Sequence, residues 1–247
     1  GRPVQTAGLP FLAVPTTAGT GAEATPNAVL TDSRTDLKKS IRDDRFMPAA
    51  VLLDGGLLAG CPPEVIAHSG MDAYTQALEA GVSRKGTAWS RATALTALRL
   101  IASALPPVHA DSGAAEADEL MAGSYLAGVA LAQARLGVVH GLAHPLGAFY
   151  RQPHGLVCAA CLPAALDLNR PAIGPAWALF SDAVGGDLAT VTQALMTRLG
   201  IRNPFRGQPV IRREEILEQT LASGSTQANP VPIGPAEVNR LLDRIFS

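Results

Sequence analysis

Over the first sixty residues the apolar positions fall in short runs closed by glycine, proline or charge. Leu9-Pro10-Phe11-Leu12-Ala13-Val14 stops at Pro15, a second run covers residues 27–31, and Ala49-Ala50-Val51-Leu52-Leu53-Asp54 stops at Gly55-Gly56. Runs of this length between turn formers predict three short strands. The charged stretch 32–45 predicts a polar hairpin or loop. Beyond Pro62-Pro63 the apolar spacing changes to three and four residues. Helices are predicted over 63–82, 87–105, 114–135, 158–168, 176–184, 188–199, 213–222 and 235–246. Pro106-Pro107 is expected to end the second of these. Gly123 and Gly128 interrupt the third; each costs about 1 kcal/mol relative to alanine, so both point to close helix contact.

The change of period divides the chain into an α/β N-terminal remnant, residues 1–60, and an all-α helical domain, residues 61–247. Three strands are too few for a sheet of ordinary size, so an upstream segment is expected to complete it. The opening Gly1-Arg2-Pro3, without methionine, agrees with that expectation. The 247 residues are 47% hydrophobic but only 4% aromatic, a composition suited to closely packed helices with small side chains. A net charge of −1 offers no basic field to nucleic acid or an anionic membrane. No uninterrupted apolar stretch approaches the roughly 20 residues of a membrane span. A small-molecule partner remains. Cys61, Cys158 and Cys161 are too few for a secreted disulfide scaffold, which predicts a reducing, cytoplasmic setting.

Several stretches can carry chemistry. The first strand runs into Thr16-Thr17-Ala18-Gly19-Thr20-Gly21-Ala22-Glu23, a glycine- and threonine-rich loop at a strand's C-terminal end, where open α/β sheets bind ligands. It reads as a nucleotide contact or as an ordinary turn. Lys38 or Lys39 could neutralise a phosphate. Asp72 and Gln76 share a helical face amid apolar neighbours, where an unpaired carboxylate is costly, so Asp72 needs a partner. His140 and His144 repeat the four-residue spacing before Pro145, and His154 lies in a Pro-His-Gly turn. Three of five histidines within fifteen residues favour a site over satisfied core residues. Cys158 and Cys161 form a lone Cys-x-x-Cys beside His154. No fourth zinc ligand is evident, and the apolar pattern around them assigns both to the core.

Taken together, the loop 16–23, Gly70-Met71-Asp72-Ala73, His140-Gly141-Leu142-Ala143-His144-Pro145-Leu146-Gly147, Pro153-His154-Gly155 and Asn229-Pro230 resemble the iron-containing (group III) alcohol dehydrogenase family. The resemblance implies the dehydroquinate synthase-like architecture: an α/β nucleotide-binding domain followed by an all-helical domain, with NAD or NADP and a divalent ion between them. It implies that Thr16, Thr17, Thr25, Val29 and Lys38 line the cofactor site. Asp72, His140 and His154 would be metal ligands, and His144 would stand near the reacting carbon as the proton-handling group. The family's fourth ligand, usually histidine, falls on Gln76, a weaker donor for Fe²⁺ or Zn²⁺. The family's glycine-rich pyrophosphate loop is not in this sequence. The function implied is NAD(P)-dependent hydride transfer between a primary alcohol and an aldehyde, with the ion as Lewis acid, in a homo-oligomer. The alternatives are a metal-independent reductase of the maleylacetate reductase type, a dehydroquinate synthase-like lyase, and a non-catalytic binding module.

Overall fold

The computed structural model describes residue 6 and residues 8–32 and 37–247, apart from the side chains of Val29 and of residues 31, 32 and 37–40. Strand β1 (Leu12–Ala13) pairs in parallel with β4 (Ala50–Val51). Strand β2 (Asn27–Asp32) pairs antiparallel with β3 (Leu37–Arg42), from Asn27 opposite Arg42 to Asp32 opposite Leu37. The charged stretch is therefore half strand. β1 and β4 are shorter than their apolar runs, and Leu9, Phe11, Leu12 and Leu52 stay exposed beside them.

Nine α-helices follow among the described residues: α1 (Pro63–Val82), α2 (Ala88–Ala110), α3 (Ala117–Ala134), α4 (Val138–Tyr150), α5 (His154–Ile173), α6 (Ala176–Val184), α7 (Leu188–Arg198), α8 (Arg213–Ala222) and α9 (Pro235–Phe246). Four match the expected bounds. α2 does not: it continues through Pro106-Pro107, because fully buried Leu105 and Val108 anchor its last turns in the core. Packing there outweighs the roughly 3 kcal/mol that an interior proline costs. α4 likewise continues past Pro145. α5 is twenty residues long, and it makes His154 the first residue of a helix rather than part of a turn.

α1 is the central element, packed against α2, α3 and α5, and its stretch from Gly70 to Gly81 is buried on every side. Glycines set these approaches. A Cβ on Gly155 would lie 2.0 Å from the His68 carbonyl oxygen, so α5 crosses the backbone of α1 in direct contact. Gly123 lies against Ile101 of α2, as its position inside a helix suggested, whereas Gly128 meets the loop glycine Gly21, whose φ of +56° favours glycine. Gly19 of that loop sits on Ser69 of α1, so the loop 16–23 rests on α1 just short of Asp72.

α5 meets the length and mean hydropathy of a membrane-crossing helix, although, as expected, its apolar run is not uninterrupted. Its buried face is enclosed by the other helices, and it also carries Asp167, Asn169 and Arg170. A core helix of a helical bundle passes the same test of length and composition.

Candidate metal centre

Three helices carry polar pairs spaced four residues apart: Asp72 and Gln76 on α1, His140 and His144 on α4, His154 and Cys158 on α5. This spacing puts both members of a pair on one face. One donor atom from each of Asp72, His140, His154 and Cys158 lies within 4.8 Å of the other three. Asp72 Oδ1 is 3.3 Å from His140 Nε2 and 3.6 Å from His154 Nε2. Cys158 Sγ is 3.8 Å and 3.7 Å from the same two nitrogens. Asp72, His140 and Cys158 are buried, and the His154 side chain retains 36% of its exposure, so the cluster meets solvent on that side. His144 is exposed one turn beyond His140, with its ring centre 5.5 Å from that of His154.

A buried carboxylate that the sequence reading left without a role holds this arrangement. Glu79 continues the Asp72–Gln76 face by one further turn and is 4% exposed. His140 Nδ1 donates to Glu79 Oε2 at 2.6 Å, which turns Nε2 toward Asp72. Glu79 also caps α4: the Val139 N–H donates to Oε1 at 2.7 Å and the His140 N–H to Oε2 at 3.4 Å. The N–H of Val138 donates to Asn229 Oδ1 at 3.1 Å, and Asn229 is itself locked to Asn169 by two reciprocal amide bonds. The first turn of α4 is thus capped from α1 and from the segment before α9, satisfying N–H groups that a helix start leaves open. Gly137 permits this: a Cβ there would fall 2.6 Å from Glu79 Oε1 and 2.8 Å from Asn229 Oδ1. The available signal was the i, i+4, i+7 series 72, 76, 79, three polar residues recurring on one face of α1.

The electrostatics follow from this crowding. Burial would raise the Asp72 carboxyl, but the His140 hydrogen bond and the charge of both imidazoles hold it below its ordinary value. Burial likewise works against a charged His140; the field of Cys158 and the bonds to Asp72, Cys158 and Glu79 outweigh it and move the imidazole well above its usual range. His154 is pushed up to about 9, chiefly by the field of the Cys158 sulfur. Gln76 Oε1 is buried and makes no hydrogen bond. An unmet buried acceptor costs about 1–3 kcal/mol, and a cation or a ligand hydroxyl beside it would relieve that cost. A carboxylate, two imidazole nitrogens and a thiol at these separations fit a divalent ion.

The other expected site residues are spread more widely. Thr16 and Thr17 are exposed in the loop after β1. Thr25 is buried, and its hydroxyl donates to the Ala22 carbonyl, closing a turn. The side chains of Val29 and Lys38 lie outside the described residues. Cys158 and Cys161 are both core residues as expected, and Cys158, one helical turn from His154, also stands in the cluster.

Comparison with known proteins agrees with this geometry. The C-terminal model of the Fe-containing alcohol dehydrogenase family matches residues 66–246, and the iron-containing alcohol dehydrogenase model matches residues 1–55. The chain is 40% identical over 168 residues to lactaldehyde reductase of Escherichia coli K12, covering 68% of this chain and 44% of that protein. To 1,3-propanediol dehydrogenase of Klebsiella pneumoniae it is 34% identical over 252 residues, covering 96% and 65%. The crystal structure of sulfoacetaldehyde reductase from Bifidobacterium kashiwanohense in complex with NAD+ superposes with a TM-score of 0.89 at 28% identity, over 97% of this chain and 65% of that one. The chain thus spans between about two fifths and two thirds of the length of these relatives. With both family models matched in order and Asp72, His140 and His154 gathered at one point, the chain belongs to the iron-containing alcohol dehydrogenase family.

Proposed function

We propose that this chain supplies the metal and substrate side of an NAD(P)-dependent oxidoreductase that interconverts a small primary alcohol and its aldehyde. The observation that carries the reading is the convergence of Asp72, His140 and His154 from three helices, with Glu79 fixing the His140 ring. In this reading residues 1–60 belong to the nucleotide-binding domain and residues 61–247 form the metal and substrate domain. Asp72, His140 and His154 hold a divalent ion, Fe²⁺ or Zn²⁺, with the fourth position open to Gln76 or Cys158. The ion, when bound, supplies Lewis acidity toward the substrate oxygen. The protein's own residues do the rest. Buried Asp72 and His140 exclude water from the closed side, while the loop 16–23, resting on α1, offers Thr16 and Thr17 to the cofactor, alongside Thr25, Val29 and Lys38. NAD is favoured by the relatives, one of which is an NAD-dependent methanol dehydrogenase of Bacillus methanolicus. His144, exposed beside His154, passes the proton between the substrate oxygen and solvent.

The metal-independent, lyase and binding-module readings are not favoured, because the relatives are alcohol dehydrogenases and aldehyde reductases and the donors of a metal site converge. A homo-oligomer in the cytoplasm remains part of the proposal. The test is NAD(P)H oxidation by the full-length protein with short aldehydes, with and without added Fe²⁺ or Zn²⁺. Turnover is expected with metal. No turnover across a broad panel overturns the reading.

A further inference from the structure

The structure assigns the fourth metal-binding position to the Cys158 thiolate on α5, in place of the imidazole that the family pattern puts at residue 76. This rests on the metal-dependent reading above and deepens it by naming the donor set and the ion class. Tetrahedral zinc, with bonds of about 2.0–2.1 Å to nitrogen or oxygen and about 2.3 Å to sulfur, requires donor separations of about 3.3 Å between N and O and about 3.6 Å between N and S. Asp72 Oδ1 stands 3.3 and 3.6 Å from the two Nε2 atoms, and Cys158 Sγ stands 3.8 and 3.7 Å from them. Four of the six edges of a coordination tetrahedron are therefore present, and the other two close within 4.8 Å. Gln76 Oε1, buried and without a hydrogen-bonding partner, is a neutral amide oxygen and a weaker donor for such an ion than a thiolate. The residue lost from α1 is thus replaced from α5, one helical turn beyond a ligand already in place. A thiolate beside a carboxylate brings two negative charges to the ion and softens the site, which favours Zn²⁺ over Fe²⁺.

The test is to strip the full chain of metal with a chelator and load it with Co²⁺. Intense near-ultraviolet absorption from thiolate-to-cobalt charge transfer is expected in the wild type and in Cys61→Ser and Cys161→Ser, and is expected to vanish in Cys158→Ser. Circular dichroism of Cys158→Ser checks that its helices are retained. Zn²⁺ affinity should fall at least about tenfold in Cys158→Ser, the smaller end of what even supporting residues contribute to metal sites. Its preference for Zn²⁺ over Fe²⁺ should shrink. No charge-transfer band in the wild type, or a band that survives Cys158→Ser, overturns the assignment. Metal-dependent aldehyde reduction in that event leaves the functional reading standing and removes only the role of Cys158.

Discussion

Glu79 shows how much a single side chain can carry. One buried carboxylate accepts from the His140 ring and from two backbone N–H groups at the start of α4, so it aims a ligand and anchors that ligand's helix together. Glu79→Gln keeps the shape and removes the charge. Metal affinity is expected to fall about 10–100-fold, as for other partners of metal-bound histidine, and calorimetric titration measures it. The thermal midpoint should drop by the equivalent of a lost helix cap, about 0.5–2 kcal/mol. His154 gives a pH signature. Its pKa is raised to about 9 in the metal-free protein, so its imidazole is charged at neutral pH and must discharge before its nitrogen can bind an ion. Metal binding at pH 7 is therefore expected to release at least one proton, and affinity should climb as pH rises through about 9. Titrations in buffers of different ionisation enthalpy read the proton directly. The same shift sets a sign for the metal-free fold. The stabilisation from the charged His154 is complete below its unfolded value near 6.5 and is lost as pH rises through about 9. Asp72, His140 and His154 were legible as candidates through the motifs that carry the family resemblance, and the structure brings them together. Glu79 and Cys158 were not legible: the 72, 76, 79 series and the step from His154 to Cys158 suit a cap or a core residue equally well, and only the contacts of Glu79 with His140 and of Cys158 with both histidines separate them.

Among the elements, α5 and α1 decide whether the donors meet. Their contact rests on Gly155, where an added methyl would enter the His68 carbonyl. Gly155→Ala is expected to destabilise the protein by at least the roughly 1–3 kcal/mol of an overpacked core, and to weaken metal binding as α5 shifts. Denaturant unfolding and metal titration of the same variant check both. Gly147→Ala makes the contrast. A Cβ there meets the Gln152 carbonyl at 3.4 Å and Val157 Cγ2 at 3.9 Å, both ordinary contacts, in a helical position, so the substitution should be neutral or stabilising by up to about 1 kcal/mol. Helix identity was largely readable: α1, α6, α8 and α9 begin and end where the apolar period does. The differences lie at Pro106-Pro107 and at the histidine stretch, where no helix was expected over 138–150. α2 and α4 run through Pro106-Pro107 and Pro145, and α5 starts at His154, because buried residues on these helices recover more than a broken backbone bond costs.

For the whole molecule, ligand-linked stability is the natural readout. A divalent ion at one hundred times its dissociation constant should raise the unfolding free energy by about 2.7 kcal/mol, and a chelator should reverse the gain. No change in thermal midpoint with Fe²⁺, Zn²⁺ or Co²⁺ would remove the metal site. The loop 16–23 and the donor cluster both rest on α1, the loop through Gly19 on Ser69 and the cluster through Asp72, so cofactor and ion would meet across a single helix. By itself the sequence determined the change from strands to helices and the family, and through that resemblance the three residues expected to hold an ion, since motifs and apolar period depend on residue type and short-range spacing. Only the tertiary structure decided that residues 72, 140, 154 and 158 share one point, that Glu79 aims His140, and that Cys158 of the core also borders the site. Those facts depend on how closely α1, α4 and α5 approach one another. That approach is fixed by glycines, caps and buried carbonyls dozens of residues apart, which no local period encodes.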